Sequence, residues 1–218
     1  MSVSIVPALI PKSAEAVRDF TDKVTFCHEI QIDVVDGKFV SDVSWPYSPI
    51  DDLREIKPYT DKFTLEVDLM VSQPVEAAKS WLNIEADMLV FHVESLSLEE
   101  FVKFTVRAPY SLSIGVACHG DTSLETLFEY AESADYIQLM GIRDIGRQGE
   151  LFNESVLEKI SACKKRFPNK PVSIDGSVNE HTIAKLVKAG ADRLVSGSAI
   201  LGQPDVEAAY NKLVTLSG

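Results

Sequence analysis

A closed barrel of eight parallel strands wrapped by helices, the α/β fold written (β/α)8 and known as a TIM barrel, is what this sequence predicts, on three observations. Eight short β-branched or aromatic runs alternate with amphipathic stretches at helix spacing along the chain, the pattern of repeated βαβ units. Polar side chains recur near the C-terminal ends of those runs, the end at which a barrel gathers its site. The Gly-Ser turns come late, after the seventh and eighth runs, where barrels commonly hold a phosphate. An open, doubly wound sheet is the runner-up; it usually has fewer strands and a Gly-rich first turn. The 218 residues suit one barrel, a fold of usually about 250 residues with shorter members near 200, so 1–218 is expected to be a single domain.

The elements follow in order. Ser4 to Ile10 reads as the first strand, and Ser13 caps a helix over Ala14 to Val24 whose apolar residues Ala14, Val17, Phe20 and Val24 share one face. Ile30 to Val35 is the second strand, broken by Asp36-Gly37 and followed by a loop through Trp45-Pro46-Tyr47 and a short helix over Ile50 to Ile56. Phe63 to Val71 is the third strand, with a helix opened by Gln73-Pro74 and running to Ile84. Met88 to Glu94 and Ser111 to Cys118 are the fourth and fifth strands, with helices over Leu98 to Val106 and from Ser123 to Glu132. Tyr136 to Ile142 is the sixth, followed by the polar loop Arg143 to Glu150 and a helix capped by Asn153 that ends at Arg166. Pro171 to Asp175 and Arg193 to Val195 are the last two, separated by a helix capped by Asn179 and ended by Gly190; Val206 to Leu216 closes the chain.

Composition narrows the function. Net charge is −12 with Asp and Glu spread along the chain, which argues against a nucleic-acid or anionic-membrane partner. No apolar run reaches the length of a membrane span and the N-terminus lacks a basic segment leading into an apolar one, so a cytoplasmic protein is expected. Cys27, Cys118 and Cys163 lack metal-site spacing and are odd in number, which reads as reduced thiols.

The candidate site follows from strand alternation. Gln31, Asp33 and Val35 share one face of the second strand, and Ile30, Ile32 and Val34 the other. An amide and a carboxylate on an inner face cost desolvation unless something uses them. Barrel closure would gather Gln31, Asp33, Asp68, His92, Gln138, Met140 and Asp175 around one mouth. Carboxylates facing one cavity repel, so either a cation sits among them or at least one stays protonated at neutral pH. Both arrangements suit proton transfer at a carbon beside a carbonyl. The plainer alternative has each Asp capping a loop at its own strand end. His92 reads either as a catalytic imidazole or as a hydrogen-bonded core histidine, and His28, His119 and His181 show no partner pattern. Met70 and Met140 wall the pocket. Gly176-Ser177 and Gly197-Ser198 let backbone approach a ligand, and each precedes a helical segment whose N–H groups favour an anion. Arg143 or Arg147 would supply local positive charge, unless both are solvated loop residues.

Five segments together resemble the ribulose-phosphate 3-epimerase family: Ile32 to Val40, Val67 to Val71, Phe91-His92-Val93-Glu94, Ile174 to Val178, and Ala189 to Asp192 continuing through Ser196 to Ile200. The resemblance implies a (β/α)8 barrel of the ribulose-phosphate-binding type that interconverts ribulose 5-phosphate and xylulose 5-phosphate by moving a proton at C3, usually with a divalent metal. On that resemblance Asp33 and Asp175 are the two acid/base groups, Gly176, Gly197 and Ser198 grip the phosphate, and Ser177 replaces a second glycine there. The loop Gly146-Arg147-Gln148-Gly149 is similar to the family's Gly-rich phosphate loop. Two departures matter. Gln31 and Asp68 stand where the family carries metal-binding histidines, while Ala8 replaces a substrate-positioning serine and Val35 a methionine.

Three outcomes fit this resemblance. Gln31, Asp33, Asp68 and Asp175 form an all-oxygen set that prefers magnesium, manganese or calcium to zinc or iron. Alternatively, the protein is an epimerase that works without metal, on two carboxylates. Or it is a non-catalytic relative that binds a sugar phosphate; retention of a carboxylate at position 68 favours a rebuilt site over a lost one. The expected partner in each case is a phosphorylated ketose. An aldolase or decarboxylase would want a lysine on an inner strand, but Lys62 precedes the third strand and Lys12 and Lys38 lie in loops. Such barrels often associate, and Trp45-Pro46-Tyr47 offers an apolar loop for a homo-oligomer contact or for closure over substrate.

Overall fold

Each β-branched run forms a strand because its outward residues bury against helices while its inward residues fill the barrel. The computed structural model describes residues 3–143, 145, 146 and 149–218. Asp144, Arg147 and Gln148, in the loop expected to bind phosphate, lie outside the described residues. The strands are β1 (Ser4–Leu9), β2 (Glu29–Val35), β3 (Thr64–Met70), β4 (Met88–His92), β5 (Ser113–Cys118), β6 (Tyr136–Met140), β7 (Val172–Asp175) and β8 (Arg193–Ser196). Every neighbouring pair is parallel, and β8 returns to β1 with Ser4 opposite Arg193 and Ile5 opposite Leu194, closing the barrel and excluding the open sheet.

Outside it run α1 (Ala14–Lys23), α2 (Lys57–Thr60), α3 (Pro74–Leu82), α4 (Leu98–Arg107), α5 (Leu124–Ala131), α6 (Val156–Arg166), α7 (Ile183–Ala189), α8 (Ser198–Leu201) and α9 (Val206–Ser217). Ser13 and Ser123 cap α1 and α5 as expected, each accepting a backbone N–H of the first turn. Asn153 and Asn179 do not cap. Their side chains accept the N–H groups of Ser155 and His181, forming local turns, and α6 and α7 begin three and four residues later. The short helix expected over 50–56 is a 3-10 turn at Leu53–Glu55 leading into α2. The loop expected to offer Trp45 to a partner instead buries it completely, edge-on to Trp81, with its indole N–H donated to Asp51 at 2.8 Å. All three cysteines are free and buried. No described helix is long and apolar enough to cross a membrane.

Hydrogen bonds between strands that are not neighbours must cross the lumen, and these reveal its polar filling. In the lower layer Glu66 of β3, fully buried, accepts from Tyr136 Oη of β6 at 2.5 Å and from Arg193 of β8. Arg193 also donates to Glu29 at 2.8 Å and to Ser173 Oγ at 3.0 Å. Gly115 on β5 makes room for this layer, since a Cβ there would sit 2.4 Å from the Tyr136 ring. Burial pushes Glu66 above the usual carboxylate range, opposed by Arg193.

Removing only the cation should therefore be costly. Arg193→Leu leaves Glu66 buried without its partner and is expected to lose about 3–5 kcal/mol of stability, read from urea unfolding, while adding Glu66→Gln recovers much of the loss. An unchanged midpoint in Arg193→Leu would contradict this account of the lower layer.

Candidate active site

Two positions above the Glu66 layer, the next inward side chains of β2, β3 and β7 are carboxylates. Register sets Asp33 opposite Asp68, and Met140 opposite Asp175. One oxygen from each of Asp33, Asp68 and Asp175 lies within 4.8 Å of the others. The three strands thus bring together the expected acids, although 142 residues (175 − 33) separate the outer two in sequence.

Their partners differ. Gln31, fully buried, places Nε2 at 2.7 Å from Asp33 Oδ1 and 2.7 Å from Asp175 Oδ2, one N–H for each carboxylate. The reverse orientation of the amide would set its oxygen against both carboxylates, so the neighbours fix which end faces them. Asp68 takes His92 Nε2 on Oδ1 and Gln138 Nε2 on Oδ2, each at 2.9 Å. The expectation that His92 is a hydrogen-bonded core residue holds: it is fully buried against Asp68, with Phe39 across its ring. Gln31 Oε1, Gln138 Oε1 and His92 Nδ1 are buried without a partner among the described residues.

Electrostatics separate the two groups. Burial pulls the His92 imidazole down, but the adjacent Asp68 carboxylate outweighs it and raises the pKa, favouring an ion pair. Among the described residues, Asp33 and Asp175 have only an amide. Burial, then the negative charges of Asp175 and Asp68, hold Asp33 well above the usual range. Burial, then Asp68, pushes Asp175 up to about 7. As a coupled pair, they retain a proton near neutral pH.

Asp33 and Asp175 open into a cavity of about 800 Å³, large enough for a small phosphorylated sugar. Met70 and Met140 wall it, and Gly146, Gly176, Ser177, Gly197 and Ser198 line it. Gly176 has φ +96°, and a Cβ there would meet Ile142 at 2.7 Å. Ser177 holds φ +53°, a conformation L side chains rarely adopt. Its Oγ donates to the Glu150 carbonyl, and its own carbonyl accepts from Asn179 Nδ2 and Thr182 Oγ1, which fix the turn. Arg143 is exposed and not among the described lining residues. The cation the sequence reading missed is Lys212 of α9, which lines the cavity and pairs with Glu180. Its position on the polar side of an amphipathic helix is the same as that of any solvated lysine.

The chemistry of the donor set bears on a metal. Asp33, Asp68 and Asp175 supply oxygens that suit magnesium or manganese. However, Gln31 turns its Nε2, an amide nitrogen with no lone pair to donate, toward Asp33 and Asp175 and takes up one oxygen of each, and each Asp68 oxygen already accepts a hydrogen bond. This hydrogen-bonded arrangement does not fit a divalent cation.

Comparison with known proteins agrees with the fold and the motifs. The sequence profile described as the ribulose-phosphate 3 epimerase family matches residues 1–201. The chloroplastic ribulose-5-phosphate-3-epimerase of Arabidopsis thaliana is 31% identical over 94% of this chain and 72% of its own length. The ribulose-phosphate 3-epimerase of Bacillus subtilis is 30% identical over 84% of each chain. Among solved structures, 3-hexulose-6-phosphate synthase from Salmonella typhimurium superposes with a TM-score of 0.74 at 16% identity over 98% of both chains. The 3-keto-L-gulonate-6-phosphate decarboxylase of Vibrio cholerae does so with a TM-score of 0.69 at 13% identity over the whole of both chains. These two structures share the barrel.

The raised carboxyl groups carry a stability signature. Asp175, with a pKa near 7 when folded, still holds a proton where the unfolded chain, near 3.9, has lost it. Its favourable contribution is complete below about pH 4 and disappears as pH rises through about 7. Asp175→Asn cannot ionise, so it should melt above the parent at pH 8, by about 2–4 °C for each kcal/mol of relieved burial, and show a flatter pH dependence between pH 4 and 7. Equal melting temperatures across that window would refute the assignment.

Proposed function

The chain belongs to the ribulose-phosphate 3-epimerase family, and from that premise we propose that it is an isomerase that inverts C3 of a ketose phosphate, with Asp33 and Asp175 as its proton-transfer groups. One observation carries the reading: a buried carboxylate from β2 and a half-buried one from β7 are held to one amide at the floor of the cavity. Inversion needs removal of a proton from one face of C3 and delivery to the other. Two carboxyl groups that share a proton supply one base and one acid at the same pH.

The step balances without a redox partner. The C2 carbonyl of the ketose makes the C3 hydrogen acidic. The ionised carboxylate takes that proton, leaving a planar enediolate, and the protonated carboxyl returns one to the opposite face. The substrate leaves with C3 inverted and the two aspartates with their protonation states exchanged. The turns at Gly176-Ser177 and Gly197-Ser198 are suited to the phosphate, since small residues let backbone N–H groups approach an anion. Met70 and Met140 provide apolar walls around the reacting carbons and keep water from the carboxyl pair.

In heavy water the protein should wash deuterium into C3 of ribulose 5-phosphate or a related ketose phosphate. Asp33→Asn and Asp175→Asn should each lower that rate by about 10²–10⁴-fold while leaving the barrel folded. Proton NMR of the substrate reads both. Absence of exchange with every ketose phosphate tried, from a folded protein and with or without divalent ions, would remove the proposal; saturable binding without exchange would identify a non-catalytic relative.

A further inference from the structure

Gln31 departs from the family's usual pattern, and the structure gives it a task. Its carboxamide nitrogen lies at the same distance, 2.7 Å, from one oxygen of each acid/base aspartate. A planar NH2 group carries its two N–H bonds about 120° apart, so one side chain can serve two carboxylates from different strands. The side chain is fully buried and its Oε1 has no partner among the described residues. Such a group is kept in a core only if its other end is well used, because an unmet polar atom costs free energy. Asp68, the remaining oxygen donor, is turned to His92 and Gln138.

We infer that Gln31 is a positioning residue that bridges Asp33 and Asp175 through one oxygen of each, and that this site transfers protons without a metal. The inference deepens the two-aspartate reading and rests on it. A cation would hold both carboxylates ionised and polarise the substrate oxygens. The amide instead fixes the distance and orientation of the two carboxylates and adds no net charge, so the pair keeps the proton that one partner must deliver. Gln31 itself does not touch the reacting carbon in this account. It acts through the two aspartates.

The test uses the whole chain and has a readout besides activity. Wild-type protein stripped with chelator should keep its C3 exchange rate to within about twofold on addition of Mg²⁺, Mn²⁺, Co²⁺ or Zn²⁺, and calorimetric titration with Mn²⁺ alone should give no binding at this site. Gln31→Glu puts an acceptor in place of the donor among the three aspartates. Its melting temperature should rise by several degrees with Mn²⁺ while that of the wild type stays fixed. Gln31→Met fills the space without donors. It should lower kcat by at least about tenfold with little change in KM and shift the pH profile of kcat, which loss of packing alone would not do.

Loss of wild-type exchange on chelation with recovery by one divalent ion overturns the inference, as does one-to-one Mn²⁺ binding that Asp33→Asn abolishes. Absence of exchange under every condition counts against the two-aspartate reading instead, and the Mn²⁺ titration still decides whether the amide excludes a cation.

Discussion

Glu66, Asp68, Asp33 and Asp175 all point into the barrel, where a carboxylate without a partner costs several kcal/mol. Among the described residues the cation Arg193 reaches Glu66, and the His92 ring hydrogen-bonds Asp68. The lower layer is thus charge-compensated, and the middle of the lumen is hydrogen-bonded. The upper pair has a neutral amide and nothing stronger among the described residues. The charge deficit is confined to the floor of the cavity, where a ligand can reach it.

Register preserves this arrangement. Glu66 and Asp68 are two residues apart on β3, as Gln31 and Asp33 are on β2, so alternation stacks them on the lumen side while Ile30, Ile32 and Val34 pack outward. A slip of one residue between β2 and β3 would drive the acids into the apolar layer under the helices. The fully buried residues of that layer, Trp45, Trp81, Phe91 and Phe101 among them, make such a slip far more costly than the burial of the acids in their proper place. The outer core therefore bears the energetic burden of an inner layer that is unfavourable by itself.

The strands and their order were legible because β-branched runs and turn residues are local signals. So were Asp33, Asp68 and Asp175, since an acid within an apolar alternating run is anomalous where it stands. Ser13 and Ser123 could be read as caps for the same reason. Asn153 and Asn179 misled because the Asn signal for a cap is also the signal for a local turn. Trp45, read as an exposed loop aromatic, is buried by Trp81, a partner 36 residues away (81 − 45) that no local pattern indicates. Arg193 looked like an ordinary first residue of a strand; its value comes from Glu66 across the lumen, 127 residues away. Lys212 gave no sequence signal at all.

Gln31 shows most clearly how a contact gives meaning to a residue. Read along the chain, it is the absence of an imidazole. Read in three dimensions, it occupies one acceptor oxygen on each of the two aspartates proposed to transfer protons, Asp33 Oδ1 and Asp175 Oδ2. An oxygen that accepts the amide N–H is a poor place for the carboxyl hydrogen, so the mobile proton is directed to the other oxygen of whichever aspartate holds it. On the proposed cycle, both hydrogen bonds from the amide persist as acid and base exchange, because each carboxyl group keeps an accepting oxygen in either protonation state. A bridging cation would bind the ionised form of each group far more strongly than the neutral form and would resist that exchange. A neutral bridge with two donors is thus matched to the proposed cycle, in which the pair passes through both protonation states.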